Sequence, residues 1–319
     1  MSLYSLVRPV LALALVAGGL PALAQTALKV GGFRTITMLP IEHGVRQGYF
    51  KKEGLDVEVL TVNAGPAVIS AVASGSVQIG YSAAVPVLFA RAQNQPVAIV
   101  DALTQESAEA DGQWTWLIAS EKSGVKSVRE LAGRTVAINA MGGACELLLR
   151  DHLAKAGVAY DGVKKIVVPF PQMQAALQLG NADAACLVEP FRTNVNVTPA
   201  IKGLTVAKGI LADLSRPYAL DVLFVREDWA GGNADTLRRF NRGLARALDD
   251  YRRNPALLRQ QMADDFKLGP ATVSLMQSNL RFGDLTASPA QIQPLLDGLA
   301  RHGMLKNPPT AQAAVLSLP

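Results

Sequence analysis

Three histidines and two cysteines are the groups through which this 319-residue chain could do the most obvious chemistry. His43, His152 and His302 fall on separate stretches, and none stands in a metal-ligand spacing. The chain contains no G-x-S-x-G, H-E-x-x-H or Cys-x-x-Cys. "GGF" at Gly31 and "MGGA" at Met141 depart from the dinucleotide fingerprint, and the phosphate-loop lysine pattern is missing. Each histidine therefore reads as a surface or satisfied helix residue. Cys145 and Cys186 could pair in an oxidising compartment, but two cysteines are too few for a disulfide scaffold. The favoured reading is buried free thiols, because spacing alone does not supply the required Cα geometry. No catalytic residue, metal or cofactor is expected.

What remains is a set of strand-to-helix junctions, which can bind without reacting. In open parallel sheets, ligands sit beyond the carboxyl ends of the strands. One set of junctions carries Phe33, Arg34 and Thr35; Asn63, Ala64 and Gly65; and Ser82 with Ala83. A second carries Asn139 and Met141 to Cys145; Phe170 to Met173; and Glu189 to Arg192. Two facing lobes would turn these junctions into the walls of one cleft. In "NAMGGACELLLR", Gly142 and Gly143 allow close approach to amides at a helix start that begins with Ala144 and Cys145, a place suited to an anion. A tight turn that needs glycine only to bend is the alternative. Cys145 there is either a thiol of lowered pKa or a small packing residue. Arg34 offers a bidentate contact to a carboxylate or sulfonate, or is simply exposed. Glu189 would repel a simple anion unless paired, for instance by Arg192. It suits an amine or an aminopyrimidine edge, or else forms a buried ion pair. Phe33, Phe170 and Phe191 either floor the cleft or pack a core.

These junctions need elements to hold them. "ALKVGGF" reads as a strand; Ile41, Val45 and Tyr49 stripe a helix ended by Gly54. "LDVEV" alternates as a strand does, "PAVISAVASG" is a helix running from Pro66 to Gly75, and "VQIGYS" is a third strand. The order β-α-β-α-β calls for a parallel sheet covered by helices. The same order returns from "GRTVAINAMGG" to "ADAACLVEPF". A shift of 105 places Pro66 on Pro171, Ala71 on Ala176 and Gly75 on Gly180. The chain is thus read as α/β: two similar lobes, each a mainly parallel sheet flanked by helices, with a ligand cleft between them. The last third is helical, and "TLRRFNRGLARALDDYRRNP" sets an apolar face against a solvated arginine face.

The first 24 residues combine Arg8, an apolar run from Val10 and an Ala22-x-Ala24 ending, the order of a secretory signal cleaved after Ala24. The run is too short to span a bilayer comfortably. The rest suffices for two medium domains. A formal charge of +5, with many arginines on one late helix, marks a mildly basic protein rather than a nucleic-acid binder.

"GYFKKEGLDVEV", "AVASGSVQIGYS", "LAGRTVAINAMGGACELLLRDHLAKAGV" and "LGNADAACLVEPF" together resemble periplasmic solute-binding proteins of ABC importers. The group they resemble is that of nitrate-, sulfonate- and taurine-binding and thiamine-pyrimidine-precursor-binding proteins. The resemblance runs from about Leu28 to Tyr251. Two departures are Gln78, where the family often has aspartate, and Ala144-Cys145, where a hydroxyl side chain often helps hold an anion. The resemblance implies lobe 1 over 25–115 and 222–319, lobe 2 over 116–221, and hinged closure on a solute presented to an inner-membrane permease. It implies a periplasmic monomer without nucleic acid. The expected ligand is a small anionic or zwitterionic organic solute held between Arg34, the Gly142–Cys145 turn and Glu189; a pyrimidine or an aromatic acid is the alternative. A fungal enzyme of this fold makes the thiamine pyrimidine from its own histidine and pyridoxal phosphate. "NAGPAVISAVASG" supplies neither lysine nor histidine, and that enzyme's cysteine-rich motif is missing. A sensory module is the third class.

Overall fold

The computed structural model describes residues 25–62, 65–109, 112–213, 216–276 and 282–316; the stretch read as a secretory signal, and Asn63, lie outside them. Twelve strands are described: β1 (Thr26–Gly32), β2 (Leu55–Thr61), β3 (Ile79–Ala83), β4 (Val97–Ala102), β5 (Gln105–Glu106), β6 (Thr115–Ala119), β7 (Thr135–Ile138), β8 (Lys164–Val167), β9 (Ala184–Val188), β10 (Leu204–Lys208), β11 (Tyr218–Ala219) and β12 (Asp221–Arg226). β2 keeps its alternation, with Leu55 and Val57 buried and Asp56 and Glu58 exposed at a sheet edge. β4 and β6 are buried along their whole length, as strands covered on both faces must be.

The strands form two five-stranded sheets of one topology, β2-β1-β3-β12-β4 and β8-β7-β9-β6-β10. In each, three parallel strands are joined by an antiparallel strand that enters from the other half of the chain: β12 in the first, β6 in the second. The 105-residue shift read from the sequence holds for the helix that follows β2 and for the strand after it, while β1 and β7 are related by 106. It carries the helix Gly65–Ala73 onto Phe170–Gln178 and β3 onto β9. It also carries Ile79 and Gly80, which pair with β1, onto Ala184 and Ala185, which pair with β7. Gly75 and Gly180 end the equivalent helices at φ 77° and 75°, a left-handed conformation that a side chain would strain.

The long helix Ala234–Arg253 packs on the first sheet's helices. There Phe50 stacks on Phe240, ring centroids 4.8 Å apart, with Gly44 and Gly243 leaving room on either side of the ring. The arginine face of this helix is laced by ion pairs, Arg242 and Arg246 both reaching Glu53 at 2.7 and 2.8 Å. The late helix Pro289–Arg301 reaches across to the second sheet's helix Ala144–Ala156. Asp151 on that helix accepts from Arg301 at 3.0 Å and pairs with His302 at 2.7 Å.

The chain crosses between the sheets where β5 and β11 pair. Glu106 lies at that point, buried, and holds both crossings. Its Oε1 accepts the amides of Trp114 and Thr115 at 3.2 and 2.9 Å; its Oε2 accepts the Ile210 amide at 2.9 Å and the Tyr218 hydroxyl at 2.6 Å. Burial pushes this carboxyl up, and the four donors pull it back. A second buried acid, Asp101 on β4, accepts from Asn241 Nδ2 at 2.9 Å, while Asp101 Oδ2 and Asn241 Oδ1 have no partner. The unpartnered Oδ2 is the place for a proton on Asp101. Burial accordingly raises this carboxyl from 3.8 to about 7.

Glu106→Ala strands four donors at once, and should lower unfolding free energy by at least ~3 kcal/mol, read as a fall in the urea midpoint. For Asp101 the folded state keeps its proton up to about pH 7, whereas the unfolded chain loses it near 3.8. Its contribution is therefore full below about pH 4 and is lost as pH rises to about 7, by ~4 kcal/mol in all. Urea titrations at pH 5 and pH 8 should show the wild type losing more stability over this interval than Asp101→Asn; parallel changes in the two proteins would refute the protonated pair.

Candidate functional site: a cavity where the two sheets' strand tips meet

The carboxyl ends of the parallel strands point at one another across a cavity that, with its mouth, holds about 610 Å³ of space free of protein atoms. From the first sheet come Phe33, Thr35, Ile36 and Thr37 after β1, Gly65 and Pro66 at a helix start, and Tyr81, Ser82 and Ala83 at the end of β3. From the second come Asn139, Ala140, Gly143, Ala144 and Cys145 after β7, Phe170 after β8, and Val188 and Glu189 at the end of β9. The crossings add Trp114, Thr115, Leu220 and Asp221. Phe33 touches Tyr81 at 5.1 Å and Phe170 at 6.4 Å between ring centroids, so an aromatic wall runs from one lobe to the other.

Most polar groups here have partners, and the exceptions are informative. Glu189 is buried and satisfied: Arg192 at 3.1 Å, the Thr193 amide at 3.1 Å and the Thr193 hydroxyl at 2.8 Å all donate to it. Arg192 lies over the Trp116 ring at 4.6 Å. Asp221 receives the hydroxyls of Thr37 and Thr104 at 2.9 and 3.0 Å. Burial lifts it to about 6, the hydroxyls of Thr37, Thr104 and Tyr81 hold it down, and Glu106 adds an upward push. Burial drives the Tyr81 phenol well above its usual range, with Asp221 contributing. Three polar atoms at the cavity have no partner among the described residues: Ser82 Oγ, Trp114 Nε1 and Asn139 Oδ1. Buried polar atoms are rarely left so unless something else meets them. The helix Ala144–Ala156 starts without a side-chain cap, and Gly143, Ala144 and Cys145 at that start form part of the cavity wall.

Of the residues singled out in the sequence, Phe33, Thr35, Gly65, Ser82, Gly143, Ala144, Cys145 and Glu189 line this cavity. Arg34 does not. It is exposed, bonded to the Asp265 carbonyl and 5.4 Å over the Phe266 ring, because Thr35, next along the chain, turns inward to meet Tyr81. Met141 and Gly142 border a separate open groove with Pro66, Ile69 and Pro86, and Met141 is half exposed. Asn63 lies outside the described residues. The cysteines require a correction: Cys145 and Cys186 form a disulfide with Cα atoms 5.7 Å apart, not free thiols. The first turn of the helix lies over the middle of β9, an adjacency across 41 residues that spacing alone does not encode. An activated Cys145 thiol is thereby removed. Sequence reasoning missed Thr37, Tyr81, Trp114 and Asp221 as cavity residues. The available signal was position: Asp221 opens the apolar run "VLFV" at a crossing, where an acid has no solvent to face.

Two like α/β lobes meeting at their strand tips around a buried cavity define the fold of the two-lobed periplasmic binding proteins. The alkanesulfonate-binding protein of Xanthomonas axonopodis pv. citri, solved bound to MOPS, superposes with a TM-score of 0.78 at 19% identity, over 92% of this chain and 98% of that one. The chain belongs to the family described as NMT1/THI5 like, which matches residues 37–257. A 4-amino-5-hydroxymethyl-2-methylpyrimidine phosphate synthase of Aspergillus parasiticus is 24% identical over 237 residues, 70% of this chain. The match spans 66% of that synthase, a little under two thirds of its length. A putative aliphatic sulfonates-binding protein of Escherichia coli is 29% identical over 129 residues, 40% of this chain and 38% of that protein.

If Ser82 Oγ serves an occupant rather than the fold, Ser82→Ala should leave the empty protein as stable as wild type or up to ~1 kcal/mol more stable. Thermal unfolding checks this, and a clear loss of stability would show that the hydroxyl has a structural partner.

Proposed function

We propose that this protein is the substrate-binding component of an ABC-type importer and captures a small anionic or zwitterionic organic solute of the sulfonate, taurine or nitrate kind. The observation that supports it most is that Ser82 Oγ, Asn139 Oδ1 and Trp114 Nε1, brought from both lobes and a crossing, stand buried without partners at one cavity. A site made to hold and release needs donors and acceptors left open for the guest. The amides at the start of the helix Ala144–Ala156 suit the acidic end of such a solute.

In this reading, lobe 1 comprises 25–115 and 222–319, lobe 2 comprises 116–221, and the chain swings about the β5–β11 crossing. Ligand binding shifts the population toward the closed form, which a permease in the inner membrane recognises. The protein acts as a periplasmic monomer, exported by a signal cleaved after Ala24. Among the described residues no helix is long and apolar enough to cross a membrane. A second ligand reading, a pyrimidine or an aromatic acid, draws support from the aromatic wall of Phe33, Tyr81, Trp114 and Phe170. Binding is favoured over pyrimidine synthesis because the described cavity residues include no lysine or histidine and the one cysteine is bridged. A sensory module would use the same cavity and differ in its partner.

The test is a thermal-shift screen of residues 25–319 against taurine, ethanesulfonate, nitrate, aromatic acids and aminopyrimidines. A ligand present at a hundred times its Kd adds about 2.7 kcal/mol, a rise of a few degrees. The rise should vanish in Ala144→Trp, whose indole fills the cavity; a rise of equal size in that variant would place binding elsewhere.

A further inference from the structure

Two carboxylates reach the cavity, and they differ in how their charge is met. Glu189 has a guanidinium of its own in Arg192, together with both donors of Thr193. Asp221 has hydroxyls: Thr37 and Thr104 at 2.9 and 3.0 Å, with Tyr81 beside it. The described residues that line the cavity include no lysine, arginine or histidine. Hydroxyls can orient a carboxylate but bring no positive charge, so an ionised Asp221 leaves the cavity with negative charge in a water-poor setting. That arrangement is costly when the site is empty and is relieved when a guest brings a cation or strong N–H donors.

We infer that Asp221 is the specificity-determining residue of this cavity, and that the solute presents to it a protonated amine or the amino group of a heteroaromatic ring. This rests on the reading of the cavity as a solute site and narrows it. The rest of the lining agrees, because Trp114 Nε1 is a donor without a partner and the uncapped start of the helix at Ala144 forms part of the cavity wall. A guest that carries both nitrogen and an acidic or acceptor group meets both kinds of partner with the appropriate sign. An anion lacking nitrogen would meet Asp221 with repulsion.

The groups that face Asp221 are the hydroxyls of Thr37, Thr104 and Tyr81, and the Glu106 carboxylate behind it; Glu189, across the cavity, is neutralised by Arg192. With these neighbours Asp221 loses its proton near pH 6. An ammonium guest needs the ionised form. Its affinity should be full above about pH 7 and fall roughly tenfold for each pH unit well below 6.

Matched pairs provide the test: taurine against ethanesulfonate, and 4-aminopyrimidine against pyrimidine, titrated calorimetrically into wild type and Asp221→Asn. At least one amino member should bind wild type ten times or more tightly than its partner and lose at least tenfold in Asp221→Asn. Ethanesulfonate or pyrimidine binding as well as its amino partner overturns the assignment to Asp221 and leaves the cavity reading intact. Binding by no member of either pair overturns the nitrogen-bearing class. Binding that survives in Ala144→Trp overturns the cavity reading itself, and Asp221 with it. Should Asp221→Asn fail to fold, the wild-type pH profile decides: an affinity for taurine that is level from pH 7.5 to pH 5 overturns the proposal.

Discussion

Everything in this molecule turns on a buried carboxylate that ties two passing chains together. Glu106 takes two amides from the outward crossing and an amide and a hydroxyl from the return, so the halves are joined at a point of fixed geometry rather than by a tether. A carboxylate suits the task because it has lone pairs for several donors arriving from different directions. The same residue raises the neighbouring Asp221 through its charge. Mechanical and electrostatic roles therefore meet at one side chain, and the cavity begins where the knot ends.

Around that knot the cavity is apolar in its walls and exacting in its few polar points. Phe33, Tyr81 and Phe170 form a continuous surface across the lobes, while Glu189 is withdrawn into its own ion pair. A guest is thus stripped of water on most sides and offered a small number of directed contacts. Selectivity arises from the penalty of leaving those contacts unmet.

Much of the architecture was legible in the sequence, because it rests on local rules. Alternation marked β2, glycine stops marked the ends of helices, and the 105-residue echo marked the paired lobes. The site was legible in outline, since strand-to-helix junctions are local features too. What escaped depends on the third dimension. Arg34 lies beside Thr35 in sequence, yet one faces Phe266 and the other the cavity. Cys145 and Cys186 adjoin only after a helix lies over a strand. Trp114 and Asp221 sit on the crossings, whose position is set by the whole fold and by no nearby residue. For Glu189 the local sequence had already offered Arg192 as a partner, and that ion pair forms, with Thr193 adding two donors.

The echo between the lobes has one more effect. Gly65 and Phe170 occupy equivalent places in the two halves, as do Ala83 and Val188, and each pair faces the same space. The frame is nearly two-fold, but its furnishings are not: bare backbone stands opposite a benzyl ring. A visitor that would look the same after half a turn gains nothing from such a room, whereas a lopsided one is told which way round to lie.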